Sequence, residues 1–206
     1  MTQMLSSRLV LVRHGQSIWN FENRFTGSTD VPLTERGREE ARNCAELLRD
    51  RRFDIAYTST LCRACETLEL ILTRINQAPP VIRDSALNER HYGELQGLDK
   101  AEVTRLFGAN QVQLWRRSFA IAPPGGESLE MTAQRTLPFF ERAIGGDLRQ
   151  GKSVLLVAHG NSLRAIMMKL EGLSPEQVVD LEIGTGVPVV YELTPEGAVR
   201  EKKIQK

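Results

Sequence analysis

Short apolar runs with few polar residues recur along the chain, and longer helical patterns separate them. The runs are RLVLV, FDIAYT, PVIR, SVLLVA and VPVVYEL, at residues 8–12, 53–58, 80–83, 153–158 and 187–193. Runs with so little alternation are typical of strands that are covered on both faces. The alternation of strands with helices therefore predicts an α/β fold with a largely parallel sheet.

Three helical patterns lie between these runs. LTERGREEARNCAELLRD begins with Thr34, which suits an N-cap, and TLCRACETLELILTRI places apolar residues at helical spacing. NSLRAIMMKLEG ends on Gly172, which suits the end of a helix. Pro138 interrupts the helical pattern ESLEMTAQRTLPFFERAI, so we expect a kink or a break there.

Residues 84–126 are less regular than the rest of the chain. Two short helical patterns lie near 100–107 and 110–118, and APPGG follows them. An excursion of this kind is where we expect a cover over the substrate.

Composition and charge are those of an ordinary globular domain. The chain has 206 residues, of which 26% are charged and 41% hydrophobic, so we expect a single domain over 1–206 with a flexible N-terminus at 1–7. The net charge is only +1, and neither nucleic acid nor a membrane is expected as a partner. MTQMLSS lacks the apolar core of a secretory signal, and no run is long enough to span a membrane, which predicts a cytoplasmic protein.

The chain contains three cysteines, Cys44, Cys62 and Cys65, too few and odd in number for a disulfide framework. Cys62 and Cys65 form a CxxC pattern, but no second pair of ligands completes a zinc set, and the surrounding sequence is helical. We therefore expect packed thiols and no metal.

One short pattern occurs twice, as LVLVRHGQS at 9–17 and as VLLVAHGNS at 154–162. In open α/β sheets, ligands bind beyond the carboxyl ends of the strands. We expect His14 and His159 to project there, while Gly15 and Gly160 leave backbone N–H groups accessible to an anion.

The residues around these histidines indicate a phosphate ligand. Arg13 adjoins His14, and Arg63 lies in the first turn of a predicted helix, whose N-terminus also favours an anion. A neutral imidazole can accept a phosphoryl group, so we interpret His14 as the nucleophile and Arg13, Arg63 and His159 as the groups that stabilise the transferred charge. Glu89, in LNERHYGELQG, is the candidate acid that protonates the leaving alkoxide.

Each of these residues also has a simpler explanation when it is taken alone. An RHG tripeptide arises by chance, and Glu89 fits a surface ion pair. Arg116 and Arg117, in WRRSF, fit a solvated helix face, while Ser17 and Thr26 fit local turn or cap positions. Only the combination of several such residues at strand ends favours a phosphate site.

Longer motifs accompany these residues. They are RHGQSxWN with ENRFTG, YTSxLxRA, LNERHYGxLQGLxKAE, WRRSFAxxPP, AHGNSLRA and GTGVPVVYEL. Together they resemble the cofactor-dependent phosphoglycerate mutases of the histidine phosphatase superfamily, over nearly the whole chain. The resemblance implies a three-layer sandwich with a mainly parallel central sheet flanked by helices. It also implies the glycolytic interconversion of 3-phosphoglycerate and 2-phosphoglycerate, primed by the cofactor 2,3-bisphosphoglycerate.

The resemblance further implies roles for individual residues. His14 would be the phosphorylated nucleophile and Glu89 the proton donor and acceptor, with Arg13, Arg63 and His159 holding the transferred group. The other positions that match substrate-binding positions of the family are Ser17, Asn20, Thr26, Gly27, Arg90, His91, Tyr92, Lys100, Arg116, Arg117, Gly160 and Asn161.

Two features depart from many members of that family. APPGGESL joins Pro-Pro directly to Glu-Ser, and the chain stops at EKKIQK without a longer tail. A shorter cover is expected to exclude water less well from a phosphohistidine. PGGES is also similar to the phosphatase branches of the superfamily.

Two other functions stay open beside the mutase. A phosphomonoesterase using the same His14 is the alternative, although Tyr92, Lys100, Arg116 and Arg117 argue against it. A catalytically silent phospho-ligand-binding module is expected to lack one of the catalytic candidates, all of which are present. The resemblance leaves open whether the chain forms a homo-oligomer.

Overall fold

The computed structural model describes residues 6–205. Of the predicted flexible segment 1–7, residues 1–5 lie outside the described residues. Ser7 is buried and begins the first strand, where it lies opposite Leu193, so the prediction of a flexible N-terminus is wrong for this residue.

A six-stranded sheet forms the centre of the described chain. Its strands are β1 (Ser7–Arg13), β2 (Ile55–Thr58), β3 (Val81–Arg83), β4 (Ser153–Ala158), β5 (Pro188–Leu193) and β6 (Val199–Ile204), in the order β3-β2-β4-β1-β5-β6. The first four strands of that order pair in parallel. β5 pairs antiparallel with both β1 and β6. The predicted runs all contain strands, whereas sequence reasoning missed β6 because VREKKI is mostly charged and forms an edge.

Helices cover both faces of this sheet. They are α1 (Ile18–Phe21), α2 (Glu35–Leu48), α3 (Cys62–Arg74), α4 (Lys100–Phe107), α5 (Ala109–Arg117), α6 (Leu129–Phe139), α7 (Gly145–Arg149), α8 (Gly160–Glu171) and α9 (Pro175–Asp180). No helix among the described residues is long and apolar enough to cross a lipid bilayer.

Alternate residues of the central strands point into two separate apolar cores. Leu9 and Leu11 of β1 pack with α6 and α8, whereas Val10 and Val12 pack with α2 and α3. Successive side chains of a strand face opposite sides of the sheet, so an unbroken apolar run fits a strand buried on both faces. The three-layer α/β sandwich is therefore confirmed.

The two predicted helix-end signals, Thr34 and Gly172, are confirmed. The Thr34 side chain accepts a hydrogen bond from the backbone N–H of Gly37 at the start of α2. Gly172 ends α8 in the left-handed conformation with φ +62°. The chain stays helical at Pro138, so the alternative of a break is wrong: α6 continues to Phe139, and a π-helical turn over Phe140–Ile144 leads directly into α7. The other alternative, a kink, stays a prediction.

The excursion at 84–126 has a small apolar core of its own. It contains α4 and α5 together with 3₁₀ turns at Ser85–Leu87 and Gly93–Leu95. Val103 and Trp115 from these helices pack against Phe25 in a cluster separate from the two main cores. This packing fixes the excursion against the segment that follows α1.

Two glycines allow the N-terminus of α2 to pack against the loop that follows β1. A Cβ atom at Gly15 would lie 2.1 Å from the carbonyl oxygen of Gly37, and a Cβ atom at Gly37 would lie 2.1 Å from the carbonyl oxygen of Gln16. Because these neighbours are backbone atoms, no side chain can move aside. The loop after β1 is therefore held directly against α2.

We expect Gly37→Ala to lower the free energy of unfolding by about 2 kcal/mol, because the new methyl group must displace backbone. The matched control is Gly146→Ala in α7, where the nearest atom would lie 4.0 Å from the new Cβ. In that helix, alanine is favoured over glycine by up to about 1 kcal/mol. Urea denaturation of the two variants measures the difference, and equal stabilities would contradict the proposed close contact.

Candidate active site

The carboxyl ends of three neighbouring strands form the floor of the site. β1 pairs with β4 in parallel, with Arg13 opposite Ala158, so His14 and His159 follow the two ends side by side. The centroids of their rings are 4.9 Å apart. β2 lies on the other side of β4, and Arg63 is in the first turn of α3, which follows it. The two His-Gly motifs thus lie together at one edge of the sheet, as their repetition predicts.

The ring of His14 is buried and has a defined tautomer. Its Nδ1 lies 2.7 Å from the carbonyl oxygen of Gly15, which can only accept, so Nδ1 is the protonated nitrogen and Nε2 keeps its lone pair. Burial, followed by the charges of Arg63 and Arg13, holds the pKa of His14 well below its ordinary value. The imidazole is therefore neutral at pH 7, with Nε2 available as a nucleophile.

Backbone carbonyls hold both arginines of the floor. Arg13 donates from Nη1 to Ile183 over 2.9 Å, and Arg63 donates to Thr29 and Gly27 over 2.8 and 2.7 Å. The Nε atoms of Arg13 and Arg63 are buried without a hydrogen-bond partner among the described residues. Each guanidinium group is thus oriented by the protein and keeps at least its Nε–H donor for a ligand.

The turn at Thr26 and Gly27 forms a wall of the site. Gly27 has φ +58°, and a Cβ atom there would lie 2.1 Å from Oε1 of Gln96. That amide oxygen accepts from the backbone N–H of Ser28 over 2.9 Å. Thr26 is buried, and its hydroxyl has no partner within the described part of the chain. The turn therefore requires glycine and leaves a further polar atom available to a ligand.

His159 lies fully buried beside His14. Its Nε2 is 2.7 Å from the hydroxyl oxygen of Ser59, which follows β2. Burial, and next the charge of Arg63, holds the pKa of His159 well below its ordinary value. The ring is thus a neutral polar group packed against the ring of His14.

One oxygen of the Glu89 carboxylate is bound and the other is open. Oε1 accepts from the backbone N–H of Arg90 at 2.8 Å and from the backbone and side-chain nitrogens of Asn161 at 3.1 and 2.9 Å. Burial by itself would raise the pKa of Glu89, but these hydrogen bonds outweigh it and the pKa lies below its ordinary value. Glu89 is therefore ionised, with Oε2 able to accept a proton.

These groups open into a strongly cationic cavity of about 250 Å³. Within the described residues, seven cationic side chains and two carboxylates line it. Burial, together with the charge of Arg116, lowers the pKa of Lys100 to about 8. An excess of positive charge in a small volume suits a ligand with several negative groups. The predicted site residues in this lining are Arg13, His14, Asn20, Thr26, Gly27, Arg63, Glu89, Tyr92, Lys100, Arg116, Arg117, Gly160 and Asn161.

Four predicted residues, Ser17, Arg90, His91 and His159, do not line the cavity. Ser17 caps α1 and exchanges hydrogen bonds with Asn20, which does line the cavity. His91 shapes its own loop, because its Nδ1 accepts from the backbone N–H of Gly93 over 2.9 Å. Both therefore position neighbours of the cavity.

Arg90 is fully buried away from the cavity. Its Nη2 donates to the hydroxyl of Tyr92 and to the carbonyl oxygens of Trp115 and Arg116, at 2.8, 3.1 and 3.2 Å. These carbonyls belong to the last turn of α5, which lacks intrahelical partners for them. Arg90 thus fixes the helix end that presents Arg116 and Arg117.

Sequence reasoning missed four residues of the lining: Arg24, Phe25, Arg164 and Glu182. Arg24 and Phe25 lie within the quoted motif ENRFTG. Arg164 stands four residues after Gly160, a spacing that places both residues on one helix face. No local signal identifies Glu182, which pairs with Arg117 and follows α9 in the chain.

The CxxC cysteines lie at the start of α3, and both are half-buried. Burial is the main cause that raises the pKa of Cys62 to about 11, and it also raises the pKa of Cys65. Since the thiolate is the form that binds metals and attacks disulfides, these raised values fit packed thiols.

Comparison with known proteins assigns the chain to a family. The model of the histidine phosphatase superfamily, branch 1, matches residues 9–203. The 2,3-bisphosphoglycerate-dependent phosphoglycerate mutase 2 of Gloeobacter violaceus is 58% identical over 92% of this chain and 87% of its own length. The 2,3-bisphosphoglycerate-dependent phosphoglycerate mutase of Cytophaga hutchinsonii is 53% identical, over 90% of this chain and 87% of its own length.

Solved structures share the fold at lower identity. A mycobacterial glucosyl-3-phosphoglycerate phosphatase superposes with a TM-score of 0.82 at 29% identity, covering 97% of each chain. Bacillus stearothermophilus YhfR superposes with a TM-score of 0.83 at 28% identity, covering 94% of each chain. The chain belongs to the histidine phosphatase superfamily, and within it to the family of the 2,3-bisphosphoglycerate-dependent phosphoglycerate mutases.

Proposed function

We propose that this protein interconverts 3-phosphoglycerate and 2-phosphoglycerate, a step of glycolysis and gluconeogenesis, through a phosphohistidine at His14. The proposal rests on one arrangement: His14, whose Nε2 is free, lines the same cavity as Glu89 and as Arg13 and Arg63, whose Nε donors have no partner among the described residues. The activity of relatives that are more than half identical supports it. The proposal includes a cytoplasmic location.

The lining fits 2,3-bisphosphoglycerate, which carries two phosphates and a carboxylate. Unpaired donors at Arg13 and Arg63 suit one phosphate. Lys100, Arg116 and Arg117 would hold the other negative groups, since all three line the same cavity. When bound, this cofactor supplies the phosphoryl group that charges His14.

His14 is prepared for the phosphoryl group by its hydrogen bond to Gly15. A phosphorylated imidazole carries positive charge when its other nitrogen keeps a proton, and the carbonyl of Gly15 accepts from that N–H. The negative charge on the transferred oxygens is stabilised by Arg13 and Arg63, which backbone carbonyls already orient. These side chains therefore need little rearrangement during the transfer.

Glu89 acts first as a base and then as an acid. Because it is ionised in the free enzyme, it accepts the proton of the substrate hydroxyl as that oxygen takes the phosphoryl group from His14. It returns the proton to the other oxygen when His14 is phosphorylated again. A mutase cycle thus begins and ends with the same ionised Glu89, as the low pKa of this carboxyl requires.

A phosphomonoesterase is the alternative, because solved relatives of the same fold include phosphatases. In that reaction water takes the phosphoryl group from His14. The segment APPGGESL is short where many family members have a longer cover. It is fixed to the loop before it, because the carbonyl oxygen of Pro124 accepts a hydrogen bond from the backbone N–H of Glu94 over 3.0 Å. The choice between water and a sugar-acid hydroxyl as acceptor decides between the two functions.

Phosphorus NMR separates the two reactions directly. With 3-phosphoglycerate and a trace of 2,3-bisphosphoglycerate, we expect 2-phosphoglycerate to form at a rate that depends on the trace cofactor. Inorganic phosphate formed without isomerisation would instead establish the phosphatase and contradict the mutase.

We expect His14→Ala to abolish turnover while the fold remains intact, because no other group lining the described cavity presents an imidazole lone pair. Incubation with labelled 2,3-bisphosphoglycerate should yield acid-labile protein phosphate in the natural protein and none in this variant. Circular dichroism checks the fold. Near-full activity of His14→Ala would refute the phosphohistidine.

We expect the KM for 3-phosphoglycerate to rise several-fold above about pH 8 because Lys100, whose pKa is about 8, loses its positive charge there. Lys100→Arg keeps its charge throughout this range and should remove most of the rise. KM is measured between pH 7 and 9.5 at constant ionic strength. An identical rise in both proteins would show that another group is responsible.

A further inference from the structure

Arg164 is a cation of the cavity that the proposed mechanism does not yet use. It lies in α8, four residues after Gly160, and residues at this spacing share one helix face. Helical side chains lean toward the N-terminus of their helix, which here lies at the site. Sequence position and helix geometry therefore direct this guanidinium group toward the cavity, whose lining includes it.

A single segment anchors Arg164 together with two other cavity arginines. Arg164 donates from Nε to the carbonyl oxygen of Leu181 over 2.9 Å. Arg117 and Arg13 donate to the carbonyl oxygens of residues 179 and 183, at 3.0 and 2.9 Å. Carbonyls at alternate positions of one segment thus hold three guanidinium groups. Among the described residues, the terminal nitrogens of Arg164 donate to no protein acceptor, so they remain available for a ligand.

The position of these terminal nitrogens identifies which part of a ligand they reach. A Cβ atom built on Gly160 would lie 3.5 Å from Nη1 of Arg164, 3.6 Å from Oε2 of Glu89 and 3.8 Å from Nε of Arg13. Nη1 of Arg164 and Oε2 of Glu89 are therefore within about 7 Å of each other. Arg164 is therefore close enough to the proton-transfer oxygen of Glu89 to bind a group attached to the reacting carbon of a ligand.

The substrate has a negative group in the corresponding place. In 3-phosphoglycerate, the carbon that bears the reacting hydroxyl also bears the carboxylate. When that hydroxyl approaches Glu89, the carboxylate lies one bond further, within reach of a planar guanidinium fork. Burial and the neighbouring charge of Arg117 lower the pKa of Arg164, so a bound anion relieves repulsion between these cations.

We propose that Arg164 is a further substrate-binding residue, which binds the carboxylate of the phosphoglycerate and so distinguishes it from phosphomonoesters that lack a carboxylate. This proposal rests on the proposed mutase function and assigns one of its specificity determinants. The phosphate contributes to binding through other residues, chiefly Arg13 and Arg63.

Two ligands that differ at the carboxylate test this role. In sn-glycerol 1-phosphate, a hydroxymethyl group replaces the carboxylate of 3-phospho-D-glycerate and the configuration of the central carbon is unchanged. Calorimetry gives the Kd of each ligand for the full-length, unphosphorylated protein, which cannot turn over without a charged His14. The variants are Arg164→Gln, Arg164→Lys and Arg105→Gln. The last removes the same charge from an exposed position on α4, outside the cavity lining.

We expect the natural protein to bind 3-phosphoglycerate at least tenfold more tightly than sn-glycerol 1-phosphate. Arg164→Gln should weaken the binding of 3-phosphoglycerate at least tenfold and change the Kd of sn-glycerol 1-phosphate by no more than about twofold. Arg164→Lys should recover part of the preference, because it keeps the charge but loses the fork. Arg105→Gln should leave both affinities unchanged.

Equal weakening of both ligands by Arg164→Gln would overturn the proposal, since it would show that Arg164 only anchors Leu181 or contributes general charge. Unchanged affinities for both ligands would overturn it as well. Thermal unfolding of each variant shows whether the fold is retained, and Arg164→Lys provides a second variant if Arg164→Gln unfolds. If the natural protein itself does not prefer 3-phosphoglycerate, this proposal fails, whereas the phosphorus NMR experiment decides the mutase function separately.

Discussion

The in-register parallel pairing of β1 with β4 is the constraint on which the rest of the site depends. It places Arg13 opposite Ala158, so the two His-Gly turns leave the sheet at the same level and their rings meet at 4.9 Å. A shift by one residue would turn each strand face over and exchange the two apolar cores. The core packing that holds the register therefore also holds the distance between the two histidines.

Positive charge is the second organising feature, and it is costly to bury. The structure meets this cost mainly with backbone carbonyls: Arg63 binds the carbonyls after α1, and Arg13, Arg117 and Arg164 bind those of 179–183, with Glu182 pairing in addition with Arg117. Carbonyl dipoles orient a guanidinium group without cancelling its charge. The cavity consequently keeps a net positive potential for an anionic substrate. Glu89, the carboxylate of the proposed proton transfer, is itself held by neutral N–H donors on one oxygen.

The features that could be predicted from the sequence are those that depend only on residues close together in the chain. Unbroken apolar runs identified the strands, Thr34 and Gly172 marked helix ends, and the repeated His-Gly pattern located both histidines. The errors have physical reasons that are not local. The charged strand β6 is stabilised by its antiparallel partner β5, and Pro138 lies within α6, which a π-helical turn follows. The described chain therefore contains a strand that the sequence pattern did not predict, and a helical segment that does not break at its proline.

Family resemblance and geometry agree on most of the residues that line the cavity. Only the geometry distinguishes the residues that line it from those that support its walls. The sequence by itself determined the α/β class, the family motifs, the proposed nucleophile His14 and the neighbouring cations, because these follow from periodicity and from adjacent residues. Only the tertiary structure decided that Arg90 supports α5 whereas Arg164 faces the cavity, since both are arginines within equally recognisable motifs. Arg90 binds a carbonyl oxygen 26 residues away in the sequence, and Arg164 binds one 17 residues away. Only the folded chain brings groups at such separations together.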